Sequence, residues 1–239
     1  LAGLTPSAAV VVATVRALKM HGGLAKDELS HEDLAALERG LPNLLRHVAN
    51  MKDVYGLPTV VAINRFPTDT EAELELVRER CRGLGVNVAL SDVWAQGGTG
   101  GTELAEAVVR LCEEPCDFRF AYELDGGIED KLRAVVQRVY RGRDIEILPE
   151  AAEKIARLTA LGMAHMPVCI AKTQYSFSDD KTKLGAPEDF TVTVREVKVS
   201  AGAGFVVALT GDIMTCRADG RCAHNAGASE VPRRGAHRR

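Results

Sequence analysis

Two short segments hold the residue types in this chain most able to do chemistry. Asn64-Arg65-Phe66-Pro67 follows the apolar run Val60 to Ile63. Ser91-Asp92-Val93-Trp94 follows the run Val86 to Leu90 and carries the only tryptophan of 239 residues. The first run suits a strand buried on both faces and the second is strand-like, and open α/β sheets bind ligands at the C-terminal ends of their strands. Phe66 and Trp94 at one sheet edge could hold a flat heterocycle between them, or could be ordinary core aromatics. Asp92 could accept hydrogen bonds from ring nitrogens of such a ligand, or cap the turn that follows it. Arg16 and Lys19, on a polar, glycine-rich turn after the run Ala8 to Thr14, could pair with phosphate or carboxylate anions, or be solvated.

Other constellations are weaker. Asn64 after a buried strand resembles the base-reading asparagine of N-K-x-D segments in phosphate-loop proteins, which would give it a nucleotide contact and suggest a GTPase-like switch. The spacing to Asp69 does not fit that segment, and no G-x-x-x-x-G-K-[ST] loop occurs in the chain. Gly97 to Gly101 precede a helix and could cradle an anion or form a tight strand-to-helix connection. Cys112 with Cys116, and Cys216, Cys222 and His224, lack the partners of a zinc site, so no metal is expected from the residues themselves.

These groups need elements to hold them. Thr70 with Glu73 forms a capping box opening a helix whose apolar face is Leu74, Val77, Cys81 and Leu84. A helix is expected from about Pro42, with Leu41, Leu44, Leu45 and Val48 as its stripe, after a charged stretch over 24–40. Another runs from Thr102 to about Cys112. Strand alternating with helix implies parallel strands and right-handed crossovers, hence an α/β fold. Past the Pro- and Gly-bearing stretch 113–127, helices are expected over 128–140 and 149–161, and strands over 168–171, 190–199 and 204–214.

Several motifs, in this order, closely resemble formate–tetrahydrofolate ligase, also called formyltetrahydrofolate synthetase. They are V-A-T-V-R-A-L-K-M-H-G-G at 12–23, A-I-N-R-F-P-T-D-T-E-A-E at 62–73 and L-S-D-V-W-A-Q-G-G-T-G-G at 90–101. P-V-C-I-A-K-T-Q-Y-S at 167–176 and T-V-R-E-V-K-V-S-A-G-A-G-F at 193–205 complete the set. The likeness runs from Leu1 to about Thr215 and corresponds to roughly the C-terminal half to three-fifths of that family's chain. It implies that the folate pterin stacks between Phe66 and Trp94, with Pro67 and Leu90 as further walls. It implies ATP-dependent joining of formate to tetrahydrofolate through formyl phosphate, with Mg2+, a monovalent cation activator and a homotetramer. Lys172, Tyr175 and Asp179-Asp180 match a family motif, but no role follows from the residues.

Under that resemblance, residues 1–116 are the remainder of a phosphate-loop-type parallel α/β nucleotide and folate domain lacking its first half. Residues 117–214 make a smaller α/β domain. From 215 to 239 the composition turns to Arg, Ala and Gly, reading as a disordered tail left by either a translated frameshift or a truncated gene. With no phosphate loop and no initial methionine, the chain reads as a fragment inactive by itself, or as a catalytically dead folate-binding or structural remnant. The tail holds six Arg against Asp219 and Glu230, a local +4 that leaves −7 on the other 214 residues. An acidic body argues against a nucleic-acid partner. The apolar runs are too short for a membrane span, and scattered cysteines suit reduced thiols in the cytoplasm.

Overall fold

A computed structural model describes residues 5–211, 214–216 and 222–224. The first unit is built on three parallel strands in the order β1 (Ala9–Ala13), β2 (Thr59–Asn64) and β3 (Asn87–Ser91). Ala13, Ile63 and Leu90 stand side by side across the sheet, and Asn64 pairs with Ser91. The chain is thus α/β, with its central strand fully buried from Thr59 to Ile63.

Alternation along the strands sorts the two faces. Ala13, Val61 and Ile63 pack into a core with Leu18 of α1 (Val15–His21), with Leu37, Leu41, Leu44 and Val48 of α2 (Leu34–Ala49), and with Leu74 and Val77 of α3 (Glu71–Arg82). Val60 and Ala89 face the other way, onto Leu104, Ala107, Val108 and Leu111 of α5 (Thr102–Glu113). Each such buried aliphatic side chain stabilises the fold by about 1.5–3 kcal/mol. On that second face the edge strand is bare: Val10 is 41% and Val12 66% exposed.

Two expectations about local structure are corrected. Residues 15–21 form a helix, α1, where a turn was expected, so Arg16 and Lys19 are helical residues. The long helix does not begin near Pro42; it begins after Asp33, whose Oδ1 accepts from the Ala36 N–H at 2.7 Å. Its apolar stripe extends upstream through Leu37, and Pro42 sits on the exposed side, where the carbonyl it fails to serve can meet water. α1 and α2 lie backbone to backbone because Gly40 has no side chain; a Cβ there would stand 1.8 Å from the Leu18 carbonyl oxygen.

The second unit carries a mixed sheet in the order β4 (Asp144–Ile147), β6 (Thr191–Ser200), β7 (Phe205–Thr210), β5 (Val168–Ala171). β4 runs parallel to β6, β5 parallel to β7, and β6 antiparallel to β7. α6 (Ile128–Val135), prolonged by a wider turn over Val136–Tyr140, and α7 (Pro149–Ala160) supply Ile128, Leu132, Val136, Ala151 and Ile155 to its core. β4 escapes sequence reading because four residues, D-I-E-I, are too short to show a period. At the start of the expected tail, Met214–Cys216 pairs antiparallel with Cys222–His224, so the disorder expected over 215–239 does not hold for these residues; the rest of that expectation lies outside the described residues.

Polar contacts join the two units along α2 and the wider turn that prolongs it over Asn50–Val54. Asn43 Nδ2 donates to the Gly185 carbonyl at 2.8 Å, Arg46 pairs with Glu188 at 2.5 Å, and Asn50 Nδ2 donates to the Val139 carbonyl at 2.8 Å. No described helix is long and apolar enough to cross a membrane.

Candidate functional site

The sheet brings the two chemical segments to one edge. Beyond the Asn64 and Ser91 pair, the Arg65 N–H still donates to the Ser91 carbonyl at 3.0 Å, so β2 and β3 stay in register to their ends. Phe66 leaves β2 and Trp94 leaves β3 at this same C-terminal edge. Trp94 lies in a single helical turn, α4 (Val93–Gln96), and is 82% exposed. That exposure rules out a role in filling the core. Phe66 is half-buried, Pro67 exposed, and Leu90 half-buried against the core beneath. The two rings are not in direct contact with each other.

A short reciprocal lock fixes Phe66. Its N–H donates to Asp69 Oδ2 at 2.8 Å, and the Asp69 N–H donates back to the Phe66 carbonyl at 3.0 Å. Asp69 is buried, and its Oδ1 has no hydrogen-bond partner among the described residues. Burial pushes its carboxyl above the usual carboxylate range; the Phe66 N–H opposes this, while the nearby Glu73 charge adds to it. Above the ring stands Arg16, its guanidinium carbon 5.5 Å from the Phe66 centroid. Arg16 forms no ion pair among the described residues, so its charge is available at the slot.

Lys19 is placed differently from the expectation of an anion-binding residue. It is 1% exposed, and its Nζ pairs with Glu73 Oε1 at 2.8 Å and donates to the His31 carbonyl at 2.7 Å. Glu73 is 0% exposed and also accepts from the Asp33 N–H at 3.2 Å and, through Oε2, from the Thr70 N–H at 3.1 Å. One ion pair thus ties α1, the start of α2 and the start of α3 together behind the slot. The Thr70 and Glu73 capping box is legible in the sequence. That Glu73's other oxygen would meet Lys19, 54 positions earlier, is not.

On the β3 side, Asp92 Oδ2 accepts from Gln96 Nε2 at 2.7 Å and caps no helix N–H with its side chain. The turn is closed by backbone instead, the Gln96 N–H donating to the Asp92 carbonyl at 3.0 Å. The Asp92 carboxylate therefore keeps acceptor capacity for a ligand. Gly100 is needed for this packing, since a Cβ there would lie 2.4 Å from the Asp92 carbonyl oxygen. Asn64 is half-buried, with no hydrogen bond from its amide among the described residues, whereas Arg65 is drawn to Glu71 at 3.0 Å. Among the described residues, no group of three or more His, Cys, Asp or Glu side chains could hold a metal ion.

The polar groups of the 172–180 loop serve the second unit's own structure, while its Phe177 meets His47 and Arg46 of α2. Lys172 Nζ donates to the Thr173 carbonyl at 3.1 Å and to the Ser176 carbonyl, and it stands 5.2 Å from the Tyr140 ring centroid. Asp179 Oδ2 accepts from the Thr193 N–H at 2.9 Å, and Asp180 Oδ1 from the Thr182 N–H at 2.9 Å. Sequence reasoning singled out Lys172 without its surroundings, because Tyr140 and Ser176 come together only in space.

Comparison with known protein families gives a match to the formate–tetrahydrofolate ligase family over residues 1–225. The match continues past Thr215, so the change of composition there does not mark the end of the likeness.

Proposed function

The chain belongs to the formate–tetrahydrofolate ligase family, and from that premise we propose that residues 62–101 form the pterin-binding slot of the ligation. The reaction joins formate to tetrahydrofolate with ATP, giving 10-formyltetrahydrofolate, ADP and phosphate. Formate needs activation because hydroxide leaves poorly; phosphorylation to formyl phosphate supplies a better leaving group, and folate N10 then attacks the acyl carbon.

The observation that carries the reading is the exposure of Trp94, on the same sheet edge as Phe66. A large aromatic held in water has no packing purpose, whereas a flat ligand would cover it. In this arrangement Phe66 and Trp94 stack the pterin, and Pro67 and Leu90 close the walls. Asp92 accepts from ring N–H groups. Asn64 lies close enough to the strand end to meet a nucleotide base. Arg16, which forms no close ion pair among the described residues and whose charge also reaches Asp69, offsets negative charge beside the slot, and Lys19 acts only by holding α1 against α3. Magnesium would arrive with the nucleotide, and no step here runs through it. The G-x-x-x-x-G-K-[ST] loop that commonly grips a triphosphate does not occur in these 239 residues, and on this reading the chain binds folate without turning formate over.

The test uses the single tryptophan. Tetrahydrofolate titrated onto the folded chain should quench Trp94 fluorescence with the affinity seen by calorimetry. Binding heat without quenching would place the pterin elsewhere. Neither signal would favour the rival reading, a structural remnant, and formate-dependent ADP release by the chain alone would overturn the inactivity.

A further inference from the structure

A cleft of about 390 Å³ opens beside β1, between α1 and α2, and shares no lining residue with the aromatic slot. Its walls are mostly apolar, Val12, Ala17 and Leu44 among them, with four polar side chains: His21, Asn43, His47 and Thr14, whose hydroxyl accepts from the Ala17 N–H at 3.2 Å. No carboxylate lines it.

The hydrogen bonds decide what these polar groups can offer. The Gly185 N–H donates to His21 Nδ1 at 3.3 Å, so in the neutral ring the proton sits on Nε2, which is a free donor. Asn43 spends one N–H on the Gly185 carbonyl and keeps the other. His47 packs tilted against Phe177, with centroids 4.5 Å apart and planes at 36°, and neither of its nitrogens is hydrogen-bonded among the described residues. The charges felt by His47 are Lys172, His21 and Arg46, all of one sign. The nearby acids are engaged elsewhere: Glu188 holds Arg46, and Asp179 acts on Lys172.

We infer that this cleft binds a small ligand with an apolar body and one oxyanion group, a carboxylate or a phosphate, held by His21 Nε2–H, Asn43 and His47. The apolar walls take the body, the three side chains supply N–H donors, and the surrounding cations supply the field. Partial desolvation against its neighbours, with the residue still exposed at the surface, and those cations push His47 down to about 4, and burial lowers Lys172 to about 8. An anion in the cleft supplies the missing counter-charge, so binding and protonation of His47 favour each other. Loss of the Lys172 charge above about pH 8 weakens binding.

Histidine ring signals followed by NMR on the whole chain test this, with inorganic phosphate and acetate as separate probes. Phosphate, acetate or both should raise the His47 titration midpoint by about one unit, a tenfold coupling. A response to phosphate alone makes the natural ligand a phosphate, and to acetate alone a carboxylate. His47→Gln should weaken the probe's effect on His21 about tenfold, a change of one unit in log affinity. Tetrahydrofolate quenching of Trp94 should be unchanged in that variant, which separates the cleft from the slot. If His47→Gln does not fold, the wild-type titration decides alone. Midpoints that ignore both probes up to tens of millimolar overturn the inference.

Discussion

Arg16 covers one face of Phe66, with its guanidinium carbon 5.5 Å from the ring centroid and no carboxylate in close ion-pair contact among the described residues. A ring has two faces, so under the proposed reading a pterin stacked on Phe66 would take the opposite one, with the cation backing the ring. Arg16→Ala removes a contact worth about 0.5–1 kcal/mol and should weaken tetrahydrofolate binding about two- to fivefold. Arg16→Lys should retain part of the affinity. Titration followed by Trp94 fluorescence measures both, and an unchanged dissociation constant in Arg16→Ala would dissociate Arg16 from the slot.

Trp94→Ala separates binding from stability. The side chain is 82% exposed, so its loss should change the unfolding free energy by no more than about 0.5 kcal/mol. Stacking worth about 0.5–1.5 kcal/mol predicts roughly a two- to thirteenfold loss of tetrahydrofolate affinity. Trp94→Phe keeps a flat face and should recover most of it. Calorimetry of binding beside thermal melts decides; a large fall in melting temperature would mean that Trp94 holds the fold.

The Lys19 and Glu73 pair should behave as structure. Glu73→Ala leaves a buried ammonium with only the His31 carbonyl and removes the α3 cap, at a cost of about 3–5 kcal/mol. Lys19→Met combined with Glu73→Leu should regain much of that stability, because no uncompensated charge stays buried. Denaturant melts of the single and double variants give the answer. A fully folded Lys19→Ala with selectively impaired anion binding would return Lys19 to the ligand.

Lys172 gives the chain a signed dependence on alkali. Its folded-state pKa is lowered to about 8 from 10.5, first by burial, so the unfolded chain holds the proton more tightly between those values. Stability should therefore rise with pH from about 8 to 10.5, as the buried charge is discharged. Tyr140 beside it, raised by burial to about 12, adds the opposite slope above pH 10, where only the unfolded phenol ionises. Melting temperatures of the wild type and Lys172→Met across pH 7–10 should converge as pH increases. Parallel curves would show that Lys172 is solvated.

Much of this architecture was legible from local pattern. Apolar runs of strand length alternating with capped helices specify a parallel α/β unit, because period and capping are properties of neighbouring residues. The same patterns could mislead. Pro42 resembled a helix start because proline is favoured there, yet the burial of Leu37 with Leu41 and Leu44 drew the helix back to Asp33. Lys19 resembled a solvated anion ligand because its sequence neighbours are polar turn-formers.

By itself, then, the sequence determined the parallel strands, the capping box at Thr70, and the emergence of Phe66 and Trp94 beyond consecutive strands. Tertiary structure alone decided that Lys19 would be sealed against Glu73, that Asp69 would lock Phe66 while keeping Oδ1 unpaired, and that Arg16 would cover one ring face. It alone gathered His21, His47 and Lys172 where the second unit meets α2. The physical reason is range. Periodicity and capping act over a few residues, whereas burial and charge pairing depend on which distant segments the packed core brings together.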